Sequence, residues 1–179
     1  MQIASSAGFT FNKRLHEPAL SPRKLRIMLR QLTGQRLATA VEESFTELGV
    51  GQNVRATIER LLAALQNHYG PTYEHCLRVG LSSRKIAQHL NHSAHAQTLL
   101  LFSGLLHDAG KALTPLEVLE CKHDWTADFQ HIIKRHVKDG YRMVVPHLPM
   151  AAAILLWHHR FQPDPYPEHF PASAKRYSV

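Results

Sequence analysis

Apolar residues recur at helical spacing along most of this chain, and no run of residues alternates apolar and polar as a half-buried strand would. Capping and breaking residues divide the pattern into helices predicted over about residues 21–34, 37–48, 53–69, 72–90, 93–107, 126–145 and 150–159, with a short helical turn after Thr114. The predicted N-caps are Ser21, Asn53, Thr72, Ser93 and Thr126. The predicted fold class is therefore all-α.

An approximate boundary between two regions of the chain is predicted near residue 50. Residues 1–50 form an N-terminal helical region of unknown role, and Leu25, Met28, Leu29 and Leu32 supply its first apolar stripe. Residues 51–179 form a compact helical domain, whose proline-rich end is a loop.

The composition excludes several classes of protein. An apolar content of 44% can build a core, and two cysteines, Cys76 and Cys121, are too few for a disulfide framework. No secretory signal and no stretch of the roughly 20 apolar residues that span a bilayer is present, so we expect a cytoplasmic protein with no membrane partner. The net charge of +7 is spread along the chain, which favours a solvated surface over nucleic-acid binding.

The chain contains 14 histidines, and some of them have the spacing of metal ligands. His107-Asp108 ends a predicted helix, where an imidazole can bind one ion while the carboxylate bridges two. His158-His159 ends another helix in the same way. Taken alone, each pair is more often a surface or capping feature than a ligand pair.

The motifs of this chain follow one another in a recognisable order. Thr72-Tyr73-Glu74-His75-Cys76-Leu77-Arg78-Val79 precedes Leu105-Leu106-His107-Asp108-Ala109-Gly110-Lys111, and Pro115-Leu116-Glu117-Val118-Leu119, His136 with Gly140, His158-His159 and Tyr166-Pro167 follow. This series resembles the HD superfamily of metal-dependent phosphohydrolases, and within it the HD-GYP branch, over about residues 68–170.

The resemblance implies a helical HD-domain bundle, with residues 1–50 as an N-terminal extension, and a dinuclear metal centre that hydrolyses cyclic di-GMP. The metal ligands it implies are His75, His107, Asp108, His136, His158 and His159. Asp108 and Lys111 are the implied catalytic residues, and Lys111, Arg78 and Tyr166 the implied substrate contacts. Two divalent ions are expected, iron or manganese first, with zinc, magnesium and nickel as further candidates; such a pair can activate a hydroxide.

The sequence departs from the family pattern at three points. Residues 160–167 carry prolines where the family's Asp-Gly-x-Gly-Tyr-Pro loop carries glycines, so the loop must differ. No equivalent of the family's distal Asp ligand is found before Val179, and Asp164 matches a loop residue instead. A truncated chain, a ligand from a partner or from water, or weak metal binding would each account for this. Pro71 replaces the Glu of trinuclear members, which favours two ions over three.

Several functions remain open at this point. The first is a cyclic di-GMP phosphodiesterase, and the second is a degenerate HD-GYP-like module that binds a nucleotide or a protein without turnover. The third is an HD phosphohydrolase acting on another nucleotide. A homodimer or a signalling protein is the expected kind of protein partner, and nucleic acid is not expected.

Overall fold

Every regular element in the described part of the chain is a helix. The computed structural model describes residues 33–123 and 125–169, together with Ser21 and Lys24. The elements are α1 (Gly34–Glu47), α2 (Gln52–His68), α3 (Gly70–His89), α4 (Ala94–Leu106), the 3-10 helix η1 (Ala109–Leu113), α5 (Leu116–Leu119), α6 (Ala127–Lys134), α7 (His136–Val144) and α8 (Pro149–Leu156). The predicted all-α fold is confirmed. Among these elements, none has both the length and the apolar character that crossing a membrane requires.

Three of the predicted N-caps accept the hydrogen bond expected of them. The Ser21 hydroxyl accepts one from the Lys24 amide (3.4 Å), and the other two caps begin helices named above. The Ser93 hydroxyl accepts a hydrogen bond from the Ala96 amide (3.3 Å) at the start of α4. The Thr126 hydroxyl accepts one from the Phe129 amide (3.1 Å) at the start of α6. Both side chains satisfy a backbone donor that the helix itself leaves unpaired.

Two other predicted N-caps are wrong. The helix assigned to Asn53 begins at Gln52, because Gly51 takes the extended capping conformation. The helix assigned to Thr72 begins at Gly70, because a proline fits the first helical turn without losing a hydrogen bond. Thr72 therefore lies inside its helix and is buried.

Two predicted helices are shorter than expected. The helix predicted over residues 126–145 is broken at Arg135 into α6 and α7, and the last helix ends at Leu156 rather than at His159. The apolar stripe of Leu25, Met28, Leu29 and Leu32 lies outside the described residues, as do residues 1–20 and 170–179.

The core lies where α3 and α4 pack along each other. α1 and α2 lie against α3, α8 lies against α4, and η1 packs against α7, which in turn contacts α8. Fully buried leucines from these helices meet in one cluster: Leu65, Leu77, Leu101, Leu105, Leu106, Leu155 and Leu156. The bundle therefore holds the ends of α4, α6 and α8, and the start of α7, in fixed positions relative to α3.

Helix α1 contributes to this same core. Leu37, Val41 and Phe45 are buried, and the Phe45 ring meets Phe102 of α4 edge to face, with centroids 6.0 Å apart. The approximate boundary near residue 50 stays a prediction, since these contacts do not tell whether the segments fold separately.

A buried arginine also joins α1 to α3. Arg84 is 3% exposed and donates hydrogen bonds to the Ser44 hydroxyl (2.6 Å) and the Glu47 carboxylate (2.5 Å). The hydrogen bond from Arg84 lowers the pKa of Glu47. The pair thus anchors the C-terminal half of α1 to the bundle.

Replacing Phe45 with alanine should lower the free energy of unfolding of the whole domain by about 3–5 kcal/mol, because the change leaves a cavity in the shared core. Urea unfolding followed by circular dichroism measures the effect. Glu43→Ala on the exposed side of the same helix is the matched control, with an expected change within about 0.5 kcal/mol. A main transition unchanged by Phe45→Ala would show that α1 is an independent segment.

Candidate metal centre

The metal ligands predicted from the sequence come together around one carboxylate. Their donor atoms fall into two groups, each with all its atoms within 4.8 Å of one another, and Asp108 belongs to both. The first group is His75, His107 and Asp108, and the second is Asp108, His136, His158 and His159.

Different helices deliver these side chains. His75 lies in the second turn of α3, and His107 and Asp108 form the turn between α4 and η1. His136 is the first residue of α7, and the two remaining histidines follow the end of α8. Helix ends thus supply every ligand candidate except His75.

The two oxygens of Asp108 face different groups. Oδ2 lies 3.2 Å from Nε2 of His107 and 3.9 Å from Nε2 of His75. Oδ1 lies 3.1 Å from Nε2 of His136 and 3.7 Å from Nε2 of His158. The side chain is only 3% exposed, so the carboxylate sits between two sets of imidazoles rather than in water.

Three of the imidazoles are oriented by the same local hydrogen bond. Nδ1 of His107 donates to the Gly104 carbonyl (2.8 Å), three residues earlier in the chain. His136 and His158 repeat the pattern with the carbonyls of Ile133 (2.5 Å) and Leu155 (2.6 Å). Each accepting carbonyl lies in the last turn of a helix, where carbonyls lack a helical partner. Nδ1 therefore carries a proton, and Nε2 faces the centre as the nitrogen that would bind a metal ion once it is deprotonated.

The Nε2 atoms of the ligand candidates face one another in two pairs. Nε2 of His107 lies 3.2 Å from Nε2 of His75, and Nε2 of His136 lies 3.3 Å from Nε2 of His158. Two unprotonated nitrogens at this distance repel, so each pair needs a proton or a metal ion between its members. Two imidazole nitrogens bound to one ion at about 2.0–2.1 Å, at a tetrahedral angle, are about 3.3 Å apart. The spacing within each group is therefore that of neighbouring ligands on one metal ion.

Among the ligand candidates, all of which the structure describes, two buried atoms lack a hydrogen-bond partner. They are Oδ1 of Asp108 and Nδ1 of His159. A buried acceptor without a partner costs about 1–3 kcal/mol. Both atoms belong to residues of the second group, so the donor set fits a metal ion there.

Tyr166 holds the His159 ring from outside the centre. The two rings are stacked, with centroids 4.3 Å apart and planes inclined by 21°. The ammonium group of Lys134 lies 5.6 Å from the centroid of the tyrosine ring and pairs with Asp164. The loop that differs from the family pattern thus still contacts the ligand set through an aromatic ring.

The protonation of the histidines follows their surroundings. Burial opposes the charged form of His107, but its hydrogen bonds to Asp108 and Cys76 outweigh burial and raise the pKa to about 10. Burial lowers the pKa of His158 to about 3, and it also lowers the pKa of His75 and of His159. A proton on His107 supplies positive charge beside the Asp108 carboxylate, as a metal ion would. Metal binding therefore competes with the protonation of His107.

The Asp108 carboxyl is held in its ionised form. Burial favours the neutral acid, but the imidazoles of His107 and His136 beside the two oxygens and the charge of Lys111 keep its pKa well below its usual range. Nζ of Lys111 lies 2.7 Å from Oδ2 of Asp108 and is partly exposed. The anionic form needed for metal ligation is therefore already present.

The other predicted substrate contact, Arg78, lies one turn beyond the ligand turn of α3. It pairs with the Glu74 carboxylate at 2.5 Å. Asp164, in contrast, is 74% exposed and belongs to neither ligand group. Its interpretation as a loop residue agrees with this position.

Sequence reasoning missed two contacts near the centre. Cys76 is buried and hydrogen-bonds to His107, and its position beside His75 was the only signal. His68 is half-buried, and its Nε2 lies 2.7 Å from the Thr114 carbonyl. That contact ties the end of α2 to the segment after η1, and no motif indicated it.

Comparison with known proteins gives one family and two relatives. Residues 72–176 match the HD domain family. A cyclic di-GMP phosphodiesterase response regulator, RpfG of Xanthomonas campestris, is 28% identical over 139 residues, which are 75% of this chain and 35% of that protein. A cyclic di-GMP phosphodiesterase of Thermotoga maritima is 31% identical over 137 residues, which are 73% of this chain and 36% of that protein.

These relatives support the HD-GYP branch inferred from the motifs. The chain spans about a third of the length of the curated relatives it matches. No solved structure gives a significant match.

The metal-free protein should lose stability as the pH falls below about 6.5, the pKa of an unfolded histidine. In the folded protein, His158 stays neutral until the pH approaches its pKa of about 3. Between that pH and about 6.5, the unfolded chain therefore binds more protons than the folded protein does. His158 should lower the free energy of unfolding by at most about 3 kcal/mol as the pH falls from 6.5 to 4.5. Urea unfolding in chelator at three pH values should show a weaker pH dependence for His158→Gln. The exposed His147→Gln is the control, and equal slopes for all three proteins would contradict the prediction.

Proposed function

The chain belongs to the HD domain family, and on that premise we propose that it is a metal-dependent phosphodiesterase that hydrolyses cyclic di-GMP. The observation that carries the proposal is the division of the ligands into two groups that share the two oxygens of Asp108. A bridging carboxylate between two sets of imidazoles is the arrangement that a dinuclear hydrolytic centre requires. The names of the two relatives support cyclic di-GMP as the substrate.

The proposed cofactor is a pair of divalent ions. His75 and His107 would hold one ion and His136, His158 and His159 the other, with Asp108 shared. Imidazole-rich sites suit iron, zinc and nickel, whereas magnesium and manganese prefer more oxygen ligands. The imidazoles therefore favour iron, and the resemblance to the HD-GYP branch makes manganese the next candidate, followed by zinc, nickel and magnesium.

Hydrolysis opens one phosphodiester bond of the cyclic dinucleotide. The oxygen of a water molecule forms a bond to phosphorus, the bond from phosphorus to one ribose oxygen breaks, and that oxygen takes up a proton. When bound, two ions supply Lewis-acid activation of the water and of the phosphate. Asp108 contributes the fixed negative charge that orders both ligand groups.

Three side chains around the centre are proposed to bind the substrate. Lys111 is partly exposed beside Asp108 and offers an ammonium group to the scissile phosphate. Arg78, one turn beyond His75, offers a second positive charge. Burial raises the pKa of Tyr166, so its hydroxyl stays protonated and can donate a hydrogen bond to a phosphate oxygen.

A second candidate is an HD-GYP-like module that binds a nucleotide or a protein partner without turnover. The observation that favours it is Asp164, which is exposed, pairs with Lys134 and adds no ligand to either group. Bound metal without turnover would favour this candidate. A third, hydrolysis of another nucleotide, would appear as turnover with a different substrate.

Asp108→Asn should weaken the binding of both ions by at least about 100-fold, because the loss of a shared ligand exceeds the usual effect of a supporting residue. Metal content after dialysis, measured by mass spectrometry, tests this together with the hydrolysis of cyclic di-GMP. Asp128→Asn, on the exposed first turn of α6, is the matched control and should keep both ions. Full metal content in Asp108→Asn would contradict the proposed centre.

Lys111→Met should lower kcat for cyclic di-GMP about 100- to 1000-fold while metal content is unchanged, because a charge at the reacting phosphate is lost. Release of the linear dinucleotide measures the rate. The exposed Lys138→Met on α7 should leave the rate unchanged. If kcat and KM of Lys111→Met equal those of the unmodified chain, Lys111 serves only to neutralise Asp108.

A further inference from the structure

We propose that two glycine–glycine backbone contacts act as positioning elements for the metal centre, one for each ligand group. Gly80 against Gly104 sets the group of His75 and His107, and Gly110 against Gly140 sets the group that includes His136. This inference rests on the proposed dinuclear centre and assigns the residues that determine the separation of its ligands.

The contact between η1 and α7 is the tighter of the two. A Cβ atom on Gly110 would lie 2.0 Å from the carbonyl oxygen of His136 and 2.4 Å from the amide nitrogen of Gly140. A Cβ atom on Gly140 would lie 3.1 Å from the amide nitrogen of Gly110. The backbone that carries Asp108 therefore rests directly on the backbone of a ligand candidate, with no side chain between them.

The contact between α3 and α4 has the same character. A Cβ atom on Gly104 would lie 2.8 Å from Cα and 2.9 Å from the nitrogen of Gly80. A Cβ atom on Gly80 would lie 2.7 Å from Leu105, whose side chain can move, and 3.1 Å from the Leu101 carbonyl. Gly104 is also the residue whose carbonyl accepts the Nδ1 proton of His107. The contact thus fixes the helix that carries His75 against the turn that orients His107.

Each contact lies between the two elements whose ligands must meet. Non-bonded carbon atoms need about 3.5–4.0 Å, so a methyl group at Gly110 would separate η1 from α7 by more than about 1 Å. Metal–ligand distances tolerate only about 0.2 Å. Asp108 and His107 are adjacent in the chain and move together, so this separation falls between Asp108 and His136. The same reasoning places the effect of Gly104→Ala between His75 and His107.

The experiment replaces each glycine with alanine and measures bound manganese. The unmodified chain is loaded with Mn²⁺, dialysed, and examined for metal content and for the electron paramagnetic resonance signal of a coupled pair. Gly110→Ala and Gly104→Ala should each keep one ion and show the signal of an isolated ion. Gly51→Ala is the control, because a Cβ atom there meets nothing within 4 Å, and it should keep the coupled pair.

Double variants identify which ion is lost. Gly110→Ala added to His158→Ala should remove no further ion, whereas Gly110→Ala added to His75→Ala should remove the remaining one. For Gly104→Ala, adding the change to His75→Ala should remove no further ion, whereas adding it to His158→Ala should remove the remaining one. Circular dichroism and thermal unfolding show whether each variant is folded.

Milder variants decide the matter if the strong ones do not fold. In Gly140→Ala and Gly80→Ala, the new methyl group would meet more distant or movable neighbours. Each variant should weaken the binding of the ion in its own group at least tenfold. The proposal is overturned if folded variants at both positions of a contact keep a coupled pair with unchanged affinity. It is also overturned if each folded variant weakens the binding of both ions equally. If the unmodified chain binds no ion, the proposed function fails instead.

Discussion

The buried carboxylate of Asp108 is the charge around which the other side chains of the centre are arranged. An ion removed from water costs several kcal/mol unless it is paired and hydrogen-bonded. Here the compensation comes from both sides, with His107 and Lys111 at Oδ2 and His136 at Oδ1. His107 and Lys111 are near neighbours of Asp108 in the chain, whereas His136 lies on α7, so Oδ1 gains its partner only when α7 packs against η1. Each oxygen faces its own set of imidazoles, which is the arrangement that the proposed pair of ions needs.

The imidazoles of the centre are oriented by hydrogen bonds to the ends of helices. A carbonyl in the last turn of a helix needs a partner from outside the helix, and a histidine placed three residues later supplies it through Nδ1. Gly104, Ile133 and Leu155 accept such bonds at the ends of α4, α6 and α8. This requirement explains two corrections to the sequence prediction. A continuous helix over residues 126–145 would have used the Ile133 carbonyl internally, and a helix reaching His159 would have used that of Leu155. The breaks are therefore part of the centre.

The sequence was informative where a residue acts on its own neighbours. Ser93 and Thr126 cap helices as predicted, because a capping hydroxyl bonds three residues ahead. The ligand candidates could also be named, since their order resembles a family pattern. What could not be predicted depends on segments that are distant in sequence. The division of Asp108 between two groups needs α3, α7 and α8 in place, and the contact of Gly110 with Gly140 spans η1 and α7. No local pattern distinguishes such a glycine from one that merely permits a turn.

The donor set also determines the charge that the centre presents to a ligand. Two divalent ions would bring four positive charges, and Asp108 is the only acidic residue in the two ligand groups, so it offsets one of them. Neutral imidazoles provide the other ligands and leave the surplus in place, which suits a phosphodiester anion. Lys111 now neutralises the same carboxylate oxygen that faces His107. With the proposed ions on that carboxylate, the ammonium group would face positive charge on one side, and the proposed substrate phosphate would offset it. The pairing of Lys111 with Asp108 and its proposed contact with the phosphate are therefore consistent with each other, since the first charge partner is given up as the second arrives.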